Sequence, residues 1–220
     1  MRSLIKRFAP IRFHWSVIAL FVLIPVLTFF THGLDRGVIE YRLTVAAILY
    51  ASFILHELSH LLVGLLSGHR TFRIRIYALT TSSVMLRRVS CLRTQLQICF
   101  AGPTANMLIA LSALALSLLD FPFSHEIFYI NAALCLYNLL PVYPLDGGRI
   151  LKTLIAHYTK NPQWASIVTL RVSAFISLTA AVVGIITLSP TIFCASLVMS
   201  SGVWSSYTRH VRVWNRFERF

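Results

Sequence analysis

The sequence predicts an all-α polytopic membrane protein of about six transmembrane helices, with a short β-hairpin or strand region after the second span. Three observations predict it. The chain of 220 residues is 57% hydrophobic and 12% charged, about half the charge of an ordinary soluble domain. Its apolar residues gather into runs long enough to cross a bilayer, near 13–31, 43–66, 98–119, 127–145, 167–188 and 191–207. Its basic residues fall almost wholly on one side of such an arrangement.

Each element has its own justification. The first run follows Arg2, Lys6 and Arg7 but is too long for a signal h-region and lacks a small-residue cleavage site, so it reads as a retained span. The second and third runs are uninterrupted by loops. The fourth runs into Pro141 and Pro144, and the sixth follows the fifth after a short turn at Ser189-Pro190. Between the second and third runs, Phe72, Ile74 and Ile76 alternate with Arg73 and Arg75. That period of two predicts a strand within Thr71–Ser90, pairing as a hairpin with Val84–Val89 and offering an edge to an extended peptide, or else a basic interfacial loop held to anionic headgroups. The turn, Ala78-Leu79-Thr80-Thr81-Ser82-Ser83, contains no glycine. Residues 1–220 read as one integral-membrane domain with its core at about 43–150; the spans 13–31, 167–188 and 191–207 flank it.

Charge sets the orientation. Of the 20 Lys and Arg residues, only Arg36 and Arg42 fall on the side opposite the rest, each beside an acid, Asp35 or Glu40. Six spans with both termini in the cytoplasm satisfy this distribution. The formal net charge of +13 is therefore a topology signal facing the lipid bilayer. The basic residues flank spans and build no soluble basic domain, which argues against nucleic acid as a partner. The four cysteines, Cys91, Cys99, Cys135 and Cys194, show no C-x-x-C spacing and read as buried free thiols. His14, His32, His69, His125, His157 and His210 read as surface residues near loops and span ends.

Two acids stand apart. Of seven in the chain, only Glu57 and Asp146 fall within or at the end of apolar spans. A charge near the bilayer centre costs roughly 2.5–3.5 kcal/mol even on the lenient insertion scale, so such residues have partners and functions. Glu57 lies in His56-Glu57-Leu58-Ser59-His60, an H-E-x-x-H pattern. On a helix the two histidines share a face and can reach one metal ion, while Glu57 can approach a water held there. Two histidines leave zinc one protein ligand short of a catalytic site, and Asp146 is the other intramembrane acid. It sits in Asn138-Leu-Leu-Pro141-Val-Tyr-Pro144-Leu-Asp146-Gly147-Gly148-Arg149, where two prolines break the helix and two glycines permit unusual backbone angles. Irregular backbone at membrane depth is tolerated where it is buried in protein or lines a watery cavity. Both halves of the pattern descend toward the cytoplasmic side, with His56 about 20 Å along a span that begins near Leu43.

At these residues the chain resembles the site-2 protease family of intramembrane zinc metalloproteases. The likeness rests on His56-Glu57-x-x-His60 and on Asn138-x-x-Pro-x-x-Pro-Leu-Asp146-Gly-Gly, and extends to Gly102-Pro103-Thr104-Ala105-Asn106 at the start of the third span. It covers about residues 43–150 and is nearest to the sporulation branch, whose members are short six-span proteins. The resemblance implies one Zn²⁺ held by His56, His60 and Asp146, with Glu57 as general base. It further implies a pro-sigma-K-type sigma factor precursor as substrate, inhibitory membrane partners, and a place in the mother-cell membrane around the forespore. Asn138 and Asn106 are candidates to orient substrate or stabilise the oxyanion, or else to bond broken-helix carbonyls. The rival readings are a membrane metal-ion transporter, disfavoured by the lack of an internal repeat, and a metal-binding regulator, which would be expected to have lost one of the four site residues.

Overall fold

The computed structural model describes residues 12–13, 35–68, 72–76, 81–85, 91–189, 195–204 and 207. The expected first span at 13–31 lies outside the described residues apart from its first position, as do Cys194, His14, His32, His69 and His210. The described elements are β1 (Arg12–Phe13), α1 (Arg36–Leu66), β2 (Phe72–Ile76), β3 (Thr81–Met85), α2 (Leu92–Ser117), α3 (Ser124–Leu139), α4 (Asp146–Thr159), α5 (Pro162–Ile186) and α6 (Ala195–Trp204). Three of them, α1, α2 and α5, are long and apolar enough to cross a membrane.

The chain divides into two compact units, residues 1–90 with 100–135, and residues 91–99 with 136–220. In the first unit α1 begins at Arg36, about two turns before the expected Leu43. Asp35 is the reason: its carboxylate accepts hydrogen bonds from the backbone N–H groups of Gly37 (2.9 Å) and Val38 (3.3 Å), capping the helix. The helix stops at Gly68, whose φ of +79° is open to glycine at no steric cost. Tyr41 donates to Glu126 (3.1 Å) and stacks on Phe123, joining α1 to the start of α3. Deeper in, the Asn131 side-chain amide of α3 donates to Ser52 Oγ (3.0 Å) and to the Ile127 carbonyl (2.9 Å); both Asn131 and Ser52 are buried. Such a bond between apolar helices spares the amide an unsatisfied donor in hydrocarbon.

The strands of this unit form a sheet in the order β1-β2-β3. β2 pairs antiparallel with β3, Ile74 opposite Ser83, and β1 pairs parallel with Arg75 and Ile76. The second strand is therefore Thr81–Met85 rather than the expected Val84–Val89. β3 pairs with β2 along its whole length, while β1 pairs only with Arg75 and Ile76, so among the described residues β3 offers the longest continuous edge of the sheet.

The expected fourth run, which crosses from the first unit into the second, is divided. α3 ends at Leu139 and spans 16 residues, about 24 Å at 1.5 Å per residue. Pro141 and Pro144 hold the chain out of helix until α4 begins at Asp146. α4 occupies what reads in the sequence as a basic connection; it packs on α5. α5 opens with Pro162 at its first position and with Asn161 accepting from the N–H groups of Gln163 and Trp164.

The cysteine expectation needs correction at one position. Cys135 is buried and Cys99 half-buried, but Cys91 is exposed at the start of α2. There hydrogen bonding from the Thr94 backbone, aided by the Thr94 side chain, holds its thiol below the usual range. His125 and His157 are exposed, as expected.

Candidate metal centre

The chemistry begins on α1. Residues 56 and 60 are one turn apart, and the helix brings their imidazoles edge to face, with ring centroids 4.8 Å apart and the two Nε2 atoms 3.1 Å apart. Two ligands at about 2.0–2.1 Å from a tetrahedral zinc ion are separated by about 3.3 Å. The pair therefore has the spacing of two corners of such a site. His56, Glu57 and His60 are all buried, although α1 is a helix of membrane length. Three buried ionisable groups within five residues call for a shared partner.

α2 forms the wall against these rings. At Gly102 an added Cβ would lie 2.5 Å from His56 Nε2 and 2.5 Å from His60 Nε2. Glycine is required there because the α2 backbone itself touches the imidazoles. One turn further along the same helix, Asn106 is fully buried, and neither its Oδ1 nor its Nδ2 has a hydrogen-bond partner among the described residues. Pro103, between them, is tolerated inside α2 because helix-breaking residues in a membrane can be satisfied by neighbouring helices.

Asp146 is built by the second unit. It is buried in the first turn of α4, where the N-terminal end of the helix favours a negative charge. Arg149, on the following turn, places its guanidinium 3.6 Å from the Asp146 carboxylate. The i, i+3 spacing was the available signal for this contact, since such residues neighbour each other on a helix. Gly147 and Gly148 have a different role from the one expected: neither adopts a positive φ. An added Cβ at Gly147 would overlap the carbonyls of Leu139 and Leu140, and one at Gly148 would overlap the backbone of Val142 and Tyr143. The pair permits close packing of α4 on its own connecting segment. Asn138 sits half-buried in the last turn of α3.

His56 and His60 of the first unit and Asp146 of the second are each buried and each offer a ligand atom suited to a metal ion. Two neutral imidazoles and a carboxylate are a donor set that suits zinc and leaves a fourth position for water or substrate. The residues present fit the ion. Fold and site together describe a membrane protein with the donor set of a catalytic zinc centre.

Comparison with known proteins agrees. The family model of Peptidase family M50 matches residues 121–181. A zinc metalloprotease of Methanocaldococcus jannaschii is 26% identical over 67% of this chain and 43% of its own length. A Synechocystis relative, whose name assigns it provisionally to the zinc metalloproteases, is 28% identical over 59% of this chain and 36% of its own. The chain thus spans less than half the length of these relatives. Among solved structures, the site-2 protease from M. jannaschii shares the fold, with a TM-score of 0.71 over 90% of each chain at 22% identity. The matches support the site-2 protease (M50) family of zinc metalloproteases.

Proposed function

We propose that this chain is an intramembrane zinc metalloendopeptidase that hydrolyses a peptide bond in a membrane-associated protein. The observation that carries the reading is the buried His56–His60 pair, its Nε2 atoms 3.1 Å apart on a membrane-length helix with a buried glutamate beside it. His56, His60 and Asp146 hold the zinc ion. Zinc, when bound, acidifies a coordinated water and polarises a carbonyl. Glu57 takes the proton of the attacking water and returns it to the leaving amine. Asn106 and Asn138 are the amides assigned to the substrate backbone or to the oxygen that gains charge. The unpartnered Asn106 side chain supports this, since a buried amide without partners costs about 1–3 kcal/mol that a bound peptide relieves. An extended substrate adds to the sheet along the β3 edge.

The substrate we propose is a sporulation sigma factor precursor of the pro-sigma-K type, cleaved at the mother-cell membrane around the forespore under the control of inhibitory membrane proteins. Its support is the likeness of the three sequence motifs to the sporulation branch of the family. The test is co-expression with such a precursor, comparing wild type with Glu57→Gln and Asp146→Asn. Cleavage by wild type alone is the expected result. Full activity in Glu57→Gln overturns the mechanism, and metal-replete protein that cleaves nothing overturns the substrate.

A further inference from the structure

The connection between α3 and α4 carries the third ligand, so what holds it matters to the metal. Residues 140–145 include two prolines and therefore four backbone N–H groups. Three are satisfied locally: Leu140 donates to the Tyr137 carbonyl (3.2 Å), Val142 to Leu140 (2.7 Å) and Leu145 to Val142 (2.8 Å). The fourth, Tyr143 N–H, leaves the segment and donates to Ser173 Oγ on α5 at 2.8 Å. Ser173 is fully buried, and its own hydroxyl proton goes to the Thr169 carbonyl at 2.6 Å. That bond fixes the hydroxyl rotor and leaves an oxygen lone pair for Tyr143. Buried serines on a membrane helix commonly bond back to their own helix. Like Ser52, which also accepts from Asn131, Ser173 has a second partner beyond its own helix, here a backbone N–H of the segment that leads to the aspartate. One residue further along the segment, Pro144 meets α6: an added Cβ at Gly202 would lie 2.5 Å from Pro144 Cδ.

We infer that Ser173 and Gly202 are positioning residues for the metal centre, bracing the segment that presents Asp146 from α5 and from α6. The inference rests on the metal-centre reading above. Ser173 fixes the backbone three residues before the ligand, and Gly202 lets the α6 backbone press on the proline two residues before it. Together with the glycines that seat α4 on the segment, they leave the Asp146 carboxylate little freedom to drift. Ligand constellations tolerate only about 0.5 Å of such drift, and loss of outer supporting bonds typically weakens metal affinity by about 10–100-fold.

The molecule supplies its own control. Ser177 lies one turn beyond Ser173 on the same face of α5, is buried, and its hydroxyl has no hydrogen-bond partner among the described residues. The experiment measures zinc affinity by chelator competition, and the visible ligand-field spectrum of the Co²⁺-substituted protein, for purified full-length wild type, Ser173→Ala, Ser173→Cys and Ser177→Ala. Expected are an affinity about 10-fold weaker and an altered cobalt spectrum in Ser173→Ala, a smaller loss in Ser173→Cys, whose sulfur accepts weakly, and wild-type behaviour in Ser177→Ala. A general loss of packing would move both alanine variants alike, and that result overturns the inference. So does wild-type affinity in Ser173→Ala, or in Ser173→Cys should the alanine variant not fold. If wild type itself binds neither zinc nor cobalt, the metal-centre reading fails and takes the brace with it.

Discussion

At the scale of single residues, the site divides into side chains whose identity announces them and glycines whose importance is steric. His56, Glu57, His60 and Asp146 are legible in the sequence because charge in an apolar run is costly and the helical repeat aligns the histidines. Gly102 belongs to the other kind. Its contact with both imidazoles joins residues more than forty positions apart, and no local pattern encodes that distance. Gly102→Ala forces a methyl group into two rings that cannot retreat while they hold a metal. We expect it to weaken zinc binding by at least 10-fold while Glu57→Gln retains wild-type affinity; isothermal titration of the two variants checks this. Equal affinity for Gly102→Ala and wild type would mean that α2 yields at this point. The glycines after Asp146 teach the same lesson, since they serve close backbone packing and not the unusual dihedral angles that a Gly-Gly pair suggests.

At the scale of elements, length and hydropathy located the long helices, while their ends were set by caps. Asp35 starts α1 earlier than hydropathy alone indicates, because a capped turn can extend into polar sequence. α4 was hidden by its composition. Ile150, Leu151, Leu154 and Ile155 recur with helical spacing, but Arg149, Lys152 and Lys160 mark the same stretch as a connection between spans. The amphipathic reading is the one the structure bears, since α4 packs against α5. The sheet yields a prediction of its own. In an antiparallel pair successive N–H groups point to opposite sides, so of Ser83 and Val84 on β3 one faces β2 and the other faces the free edge. Proline at the edge-facing position removes a donor from an arriving peptide without cutting the β2–β3 ladder. We expect both Ser83→Pro and Val84→Pro to slow cleavage, and only the ladder-facing variant to lose thermal stability as well. Unchanged cleavage in the stable variant would exclude β3 as the docking strand.

At the scale of the whole molecule, charge is the main guide to orientation. The basic residues, of which only Arg36 and Arg42 with their acidic companions fall on the opposite side, predict that residues 118–123 lie outside the cytoplasm and that both termini lie inside. Alkaline phosphatase joined after Asp120 should be active and the same reporter joined after Phe220 inactive; the reverse pattern would invert the proposed topology. Among the described residues three helices have the length and hydropathy to span alone, and the run expected as a single crossing at 127–145 is divided by prolines.

That division bears on how the protein enters the membrane. α3, with 16 residues, is about 6 Å shorter than the hydrocarbon core and carries Asn131 in its interior. A translocon presented with α3 alone meets a segment both too short and too polar to release readily into lipid. Ser52 of α1 supplies the hydrogen-bond acceptor that Asn131 needs. In the folded protein the helix that carries the histidines thus lowers the cost of keeping the amide of the helix that leads to the aspartate among apolar side chains.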